Sequence, residues 1–105
     1  MVSKTTKKLF KEYIVSYDIA CNKKRKYVFD LLKNIGLTPI QRSVFWGYLN
    51  APERRYLKQK IKQLLDTEDS AFLTPCKLAS DHQNNIINIS FEELAIRDPD
   101  GHVIL

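Results

Sequence analysis

The sequence predicts an α+β domain in which two helices cover one face of a β-sheet, and three observations predict it. Short β-branched and aromatic runs alternate with two stretches of helical apolar spacing. Their order is strand, helix, strand, strand, helix, strand. Cap and stop residues fall between them, at Asn22, Gly36, Asn50 and Pro52.

Tyr13 to Ile19 is the first strand, apolar on both faces as a central strand requires. Asn22 is placed to cap a helix from Lys23 to Ile35, with Val28, Leu31, Leu32 and Ile35 as its buried stripe and Gly36 as its stop. Leu37 to Leu49 is too long for one pass, and a turn at Gln41, Arg42 and Ser43 divides it into a short strand and a stronger one, "SVFWGYL". Within that second strand Phe45 and Trp46 are adjacent and point to opposite faces, so only one is expected in the core, with the other at an interface or against a base.

Asn50-Ala51-Pro52-Glu53 fits a capping box with proline in the first turn. The helix it opens has core positions Leu57, Ile61, Leu64 and Leu65 and ends near Asp66. Ser70 to Leu78 is the fourth strand, and Pro75, which has no N–H to give a ladder, predicts a sheet edge or a bulge there. After the polar loop "SDHQNN", the alternation in "IINISF" predicts an additional strand near 86–91. Together these elements form the split βαβ of a ferredoxin-like βαββαβ sandwich with an additional C-terminal strand.

A chain of 105 residues allows one domain. We divide it into a basic arm over 1–11, the sandwich over 12–79 and a C-terminal extension over 80–105. No stretch reaches the ~20 apolar residues of a spanning helix or forms a signal peptide, so no membrane partner is expected. Cys21 and Cys76 lack metal-ligand spacing and read as reduced thiols of a cytoplasmic protein. His82 and His102 have no partners at metal-ligand or triad spacing.

Charge is distributed unevenly. Residues 1–62 carry a net +11, whereas residues 63–105 carry a net −6. A polyanion, nucleic acid before membrane, is the partner such asymmetry suggests; a solvated basic surface is the plainer alternative. Lys23, Lys24, Arg25 and Lys26 sit at a helix start, where the macrodipole disfavours cations, so an anion is expected beside them. Arg54, Arg55, Lys58, Lys60 and Lys62 form a second basic set on the second helix, and Arg54, Arg55, Lys58 and Lys62 share one broad face suited to the backbone of duplex DNA.

"YDIACNKKRKYVFDLLKNIG" followed by "LTPIQRSVFWGYL" resembles the small CRISPR-associated endoribonuclease family, the universal small subunit of the spacer-acquisition machinery. The features that coincide are a strand ending Tyr-Asp-Ile, an arginine seven residues after the aspartate, a glycine closing the helix and an Ile-Gln-x-Ser-Val-Phe-x-Gly segment. The resemblance implies a metal-binding catalytic aspartate at Asp18, with Tyr17, Arg25, Ser43 and Phe45 completing the catalytic set. Tyr27 and Pro39 stand where relatives often have basic residues, and Lys26 and Arg42 lie near enough to substitute.

The chemistry of the residues agrees on Asp18. Magnesium or manganese takes oxygen ligands and keeps several waters, so few carboxylates suffice. Asp30 sits two turns into the helix, too far along its axis to join Asp18. A homodimer would supply the missing partner, because a residue near a two-fold axis meets its own copy. The plainer reading of Asp18 is a cap on the following turn. For function, the resemblance implies a metal-dependent endonuclease acting on single-stranded RNA and/or double-stranded DNA. It equally implies a non-catalytic scaffold that bridges the CRISPR integrase subunit and holds DNA for insertion. A stand-alone ribonuclease toxin of the virulence-associated D type is the third reading.

Overall fold

The computed structural model describes residues 9–89. Its elements are β1 (Phe10–Asp18), α1 (Asn22–Asn34), β2 (Thr38–Gln41), β3 (Val44–Asn50), α2 (Ala51–Leu64) and β4 (Ser70–Pro75). A 3-10 turn at Ala79–Asp81 and a one-turn helix, His82–Asn85, follow. The sheet runs β2-β3-β1-β4 with every pairing antiparallel. This is the ferredoxin-like arrangement, with β1 central and β4 at an edge.

Alternation along β1 divides the sheet. Tyr13, Val15 and Tyr17 point to the helices, where they meet Phe45 and Leu49 of β3, Val28 and Leu32 of α1, and Leu57 and Ile61 of α2. Several of these are fully buried, and each such side chain contributes roughly 1.5–3 kcal/mol.

α1 ends in a complete Schellman motif. Gly36, at φ 107, donates to Lys33 O at 3.0 Å, and Leu37 donates to Leu32 O at 3.0 Å. Leu32 and Leu37 are both buried and make the apolar contact that accompanies the motif. Leu37 in turn packs onto the backbone of β3, where a Cβ at Gly47 would stand 2.7 Å from Leu37 Cδ2. Glycine at this position lets the helix end lie flat on the sheet. α2 opens with the expected capping box, Glu53 N to Asn50 Oδ1 at 2.8 Å and Asn50 N to Glu53 Oε1 at 2.9 Å.

Four expectations need correction. Asn22 does not cap α1: Cys21 occupies the N-cap without a side-chain bond, and Asn22 Oδ1 accepts from Arg25 instead. Phe45 and Trp46 are both fully buried, because the outer face of the sheet is partly covered by the chain's own turn after β4. β4 stops at Pro75 rather than Leu78, since Cys76 N turns to Glu12 O and Leu78 N to the Glu12 carboxylate. The additional strand expected near 86–91 is not formed over 86–89, where Asn88 adopts φ 60, incompatible with a strand, and Ile87 is 82 % exposed. The remainder of that segment, and residues 1–8 of the basic arm, lie outside the described residues.

Candidate functional site

β1 leaves the sheet at Asp18, whose Cα partner is Ser70 at the start of β4. The Asp18 side chain is exposed, and its carboxylate has no hydrogen-bond or ion-pair partner among the described residues. Strand alternation sends it to the outer face of the sheet, beside Phe72, which is 57 % exposed. It does not cap the following turn.

Tyr17 points the other way, into a cleft of about 350 Å³ also lined by Asn22, Arg25, Lys26 and Phe29 of α1 and by Gln41, Arg42 and Ser43 of the β2–β3 turn. Three elements therefore bring together Tyr17, Arg25, Lys26, Arg42 and Ser43, while Asp18 stands across the strand end from them. The turn is fixed to β1 by a bond from Tyr17 N to Ser43 O of 3.1 Å. Ser43 itself is at φ 62, a left-handed conformation that costs a non-glycine residue energy. Burial pushes the Tyr17 phenol above its ordinary value, while the Ser43 side-chain hydrogen bond and the Arg25 charge pull it back.

Phe45, expected in the catalytic set, has no exposed surface and cannot touch a substrate. It supports the cleft from beneath, its ring 5.1 Å edge-on from Phe29 and 6.3 Å from Tyr17.

The basic turn is answered largely within the chain. Lys24 pairs with Asp66 at 3.0 Å and Lys26 with Asp30 at 3.0 Å. Arg25 Nη1 donates to Ile19 O at 2.7 Å and to Ala20 O at 3.4 Å, so its guanidinium braces the backbone just after Asp18. Lys23 is exposed. The anion that the helix start requires is thus Asp66, whose hydrogen bond raises the Lys24 ammonium above its ordinary value. Sequence alone does not place Asp66 and Asp69 here. Their signal was the acidic loop "LLDTEDS", which only the β1–β4 pairing carries to this end of the sheet.

The second basic set divides by helical spacing. Arg54, Lys58 and Lys62 line a groove of about 400 Å³ between α2 and β4. Arg54 also lies 5.8 Å over the Tyr13 ring. Arg55 is exposed but does not line this groove.

Comparison with known proteins decides what this arrangement belongs to. Residues 11–84 match the family described as CRISPR associated protein Cas2. The chain belongs to the Cas2 family. Among its relatives is the CRISPR-associated endoribonuclease Cas2 1 of Francisella tularensis subsp. novicida, 32% identical over 98 residues, covering 90% of this chain and 98% of that one. A crystal structure of a hypothetical protein from Thermus thermophilus superimposes with a TM-score of 0.59 at 30% identity, covering 65% of this chain and 83% of that chain. The crystal structure of Streptococcus pyogenes Cas2 at pH 6.5 matches with a TM-score of 0.60 over 73% of this chain and 96% of that one; at 20% identity it bears on the fold alone.

Within this Cas2 fold, the donors at Asp18 suit a hard cation, being carboxylate oxygens open to solvent. No group of three or more His, Cys, Asp and Glu gathers among the described residues; the Asp66 and Asp69 carboxylates that also reach this end of the sheet are engaged by Lys24 and by backbone amides, whereas Asp18 is not engaged among the described residues. No helix among them is long and apolar enough to cross a membrane.

Proposed function

We propose that this Cas2-family chain is a homodimeric, divalent-metal-dependent endonuclease of CRISPR adaptation. Its substrates are single-stranded RNA and/or double-stranded DNA, and its basic surfaces hold DNA for spacer integration together with the integrase subunit. The observation that carries the proposal is the exposed Asp18 carboxylate at the end of a central strand, without a partner among the described residues, in a chain whose relatives are named endoribonucleases.

Asp18 holds magnesium or manganese with its copy in a second chain, the two outer sheet faces meeting there. The exposed Phe72, on the same face as Asp18, supplies apolar contact for that meeting. When bound, the cation lowers the pKa of a coordinated water and so supplies the nucleophile for phosphodiester hydrolysis. The chain's own residues bind and orient: Lys23 and Arg42 attract the phosphates, Tyr17 and Ser43 shape the cleft, and Arg25 fixes the backbone that carries Asp18.

One observation favours the scaffold reading. Lys24, Arg25 and Lys26 are engaged within the chain, which leaves fewer cations free to stabilise a transition state than the sequence suggests. Both readings are separated by pairing wild type with Asp18→Ala in a magnesium titration of RNA and duplex DNA cleavage and in reconstituted spacer integration. Loss of cleavage with integration retained supports both roles. Metal-dependent cleavage that survives Asp18→Ala in scrupulously purified protein overturns the nuclease.

A further inference from the structure

The two peptide units after Asp18 leave the sheet, yet they are held on both sides. Asp18 pairs with Ser70, and beyond this pair the β1–β4 ladder ends. The next free donor, Ala20 N, would be left to water. Instead it donates to Asp69 Oδ1 at 3.1 Å, so a side chain supplies the rung that the strand no longer provides. Asp69 is itself pinned: its Oδ2 accepts from Asp66 N at 3.0 Å, and its own N–H donates to Asp66 O at 3.0 Å. On the other side Arg25 takes the carbonyls of Ile19 and Ala20.

We infer that Asp69 is a positioning residue for the metal site, acting through the Ala20 amide to fix the direction of the Asp18 carboxylate; the inference rests on the reading of Asp18 as the metal ligand. The physical reason is that Asp18 has no partner of its own among the described residues, so the course of its backbone alone aims it. Burial pins Ile19, one residue on, but Ala20 is exposed and only its hydrogen bonds hold it. The geometry of a ligand set by such outer partners governs metal affinity by about 10–100-fold when they are removed. Asp69 bonds to the backbone two residues beyond the ligand and does not touch the ligand itself, which puts the expected loss at the lower end, about tenfold.

Full-length wild type, Asp18→Ala, Asp69→Ala, Asp69→Asn and Asp66→Ala test this, with manganese binding followed by the electron paramagnetic resonance of the free ion and magnesium half-saturation followed by RNA cleavage. Asp69→Ala is expected to weaken manganese binding about tenfold. Asp69→Asn keeps an oxygen for Ala20 N but offers Asp66 N an amide nitrogen, so it should stay within about threefold of wild type. Asp66→Ala, which breaks the pair with Lys24 but keeps both backbone bonds to Asp69, should bind manganese as wild type does. A general loosening of the loop would instead weaken Asp66→Ala as well, and that result overturns the inference. So does Asp69→Ala with wild-type affinity beside a weakened Asp18→Ala, or Asp69→Asn as weak as Asp69→Ala. Unchanged affinity in Asp18→Ala brings down the metal reading itself, and the role of Asp69 with it.

Discussion

Trp46 Nε1 donates to Glu12 Oε2 at 2.5 Å, joining the chain's single tryptophan to a half-buried carboxylate on the outer face of the sheet. The same oxygen accepts from Leu78 N at 2.8 Å and Ala79 N at 2.9 Å, and Cys76 Sγ lies 3.4 Å away. One carboxylate thus ties β1, β3 and the turn after β4 together. Glu12→Ala leaves these donors without their acceptor, which costs roughly 1.5–3 kcal/mol for bonds to a charged group. Urea denaturation should record that loss, and Trp46 emission should shift to the red as the turn lifts. Unchanged emission would mean that something other than this bond keeps Trp46 dry.

Cys76 and Cys21 are expected to behave oppositely. Burial pushes the Cys76 thiol up to about 11 from 9.0, whereas backbone N–H groups of Lys24 and Lys23 lower the Cys21 thiol. Iodoacetamide at neutral pH should label Cys21 first, as read by peptide mass spectrometry. Because the folded chain holds the Cys76 proton more tightly than the unfolded chain does, stability is retained below pH 9 and declines from there towards about 11. Cys76→Ala should flatten that decline; an equal slope in the variant assigns it to other groups.

How much was legible follows from how local each feature is. The capping box at Asn50 and Glu53, the stop at Gly36 and the division at Gln41–Ser43 are written within four residues, and the chain forms them as read. Trp46 misled because its cover comes from residues some 30 positions later, held by a carboxylate that in sequence reads only as a charge at the strand's start. The basic helix start misled in the same way. Its counter-charge, Asp66, is 42 residues from Lys24 and arrives only through the β1–β4 pairing. Asp18 itself was legible as the end of a strand. Strand alternation puts it on the face opposite Tyr17, and so separates it from the Tyr17 cleft.

Gly47→Ala is expected to lower stability by about 1–3 kcal/mol, the usual cost of forcing a methyl into a filled core. The added Cβ would stand 2.7 Å from Leu37 Cδ2 and 3.3 Å from Leu37 Cα, and the backbone atom cannot move aside without disturbing the end of α1. Thermal unfolding measures it. A neutral outcome would require the Schellman motif at Gly36 to shift, which hydrogen exchange of the Leu37 amide would reveal.

Duplex DNA affinity should fall steeply with salt, and Lys58→Ala and Lys62→Ala should each reduce the slope of log K against log salt by about 0.9 for every phosphate that the lysine neutralises. These two residues lie one turn apart along the α2 groove, so their effects should add. Lys24→Ala should change the slope less, since Asp66 already occupies its ammonium. Fluorescence anisotropy across a salt series gives all three slopes, and equal slopes in all the proteins would remove α2 from the DNA surface.

Ser43 sets two effects against each other. At φ 62 a glycine is relieved of the cost of roughly 1–2 kcal/mol that a side chain bears in the left-handed region, while loss of the hydroxyl that holds the Tyr17 phenol down is expected to cost about 1 kcal/mol. Ser43→Gly should therefore be close to neutral in stability. Ser43→Ala keeps the strained backbone and loses the bond, so it should be the less stable of the two by about 1 kcal/mol. Both variants remove a group that lowers the Tyr17 phenol, so its titration, followed by ultraviolet absorbance, should move further up in each. If Ser43→Gly raised stability without moving the Tyr17 titration, the side-chain bond would be idle in solution and strain alone would govern the turn.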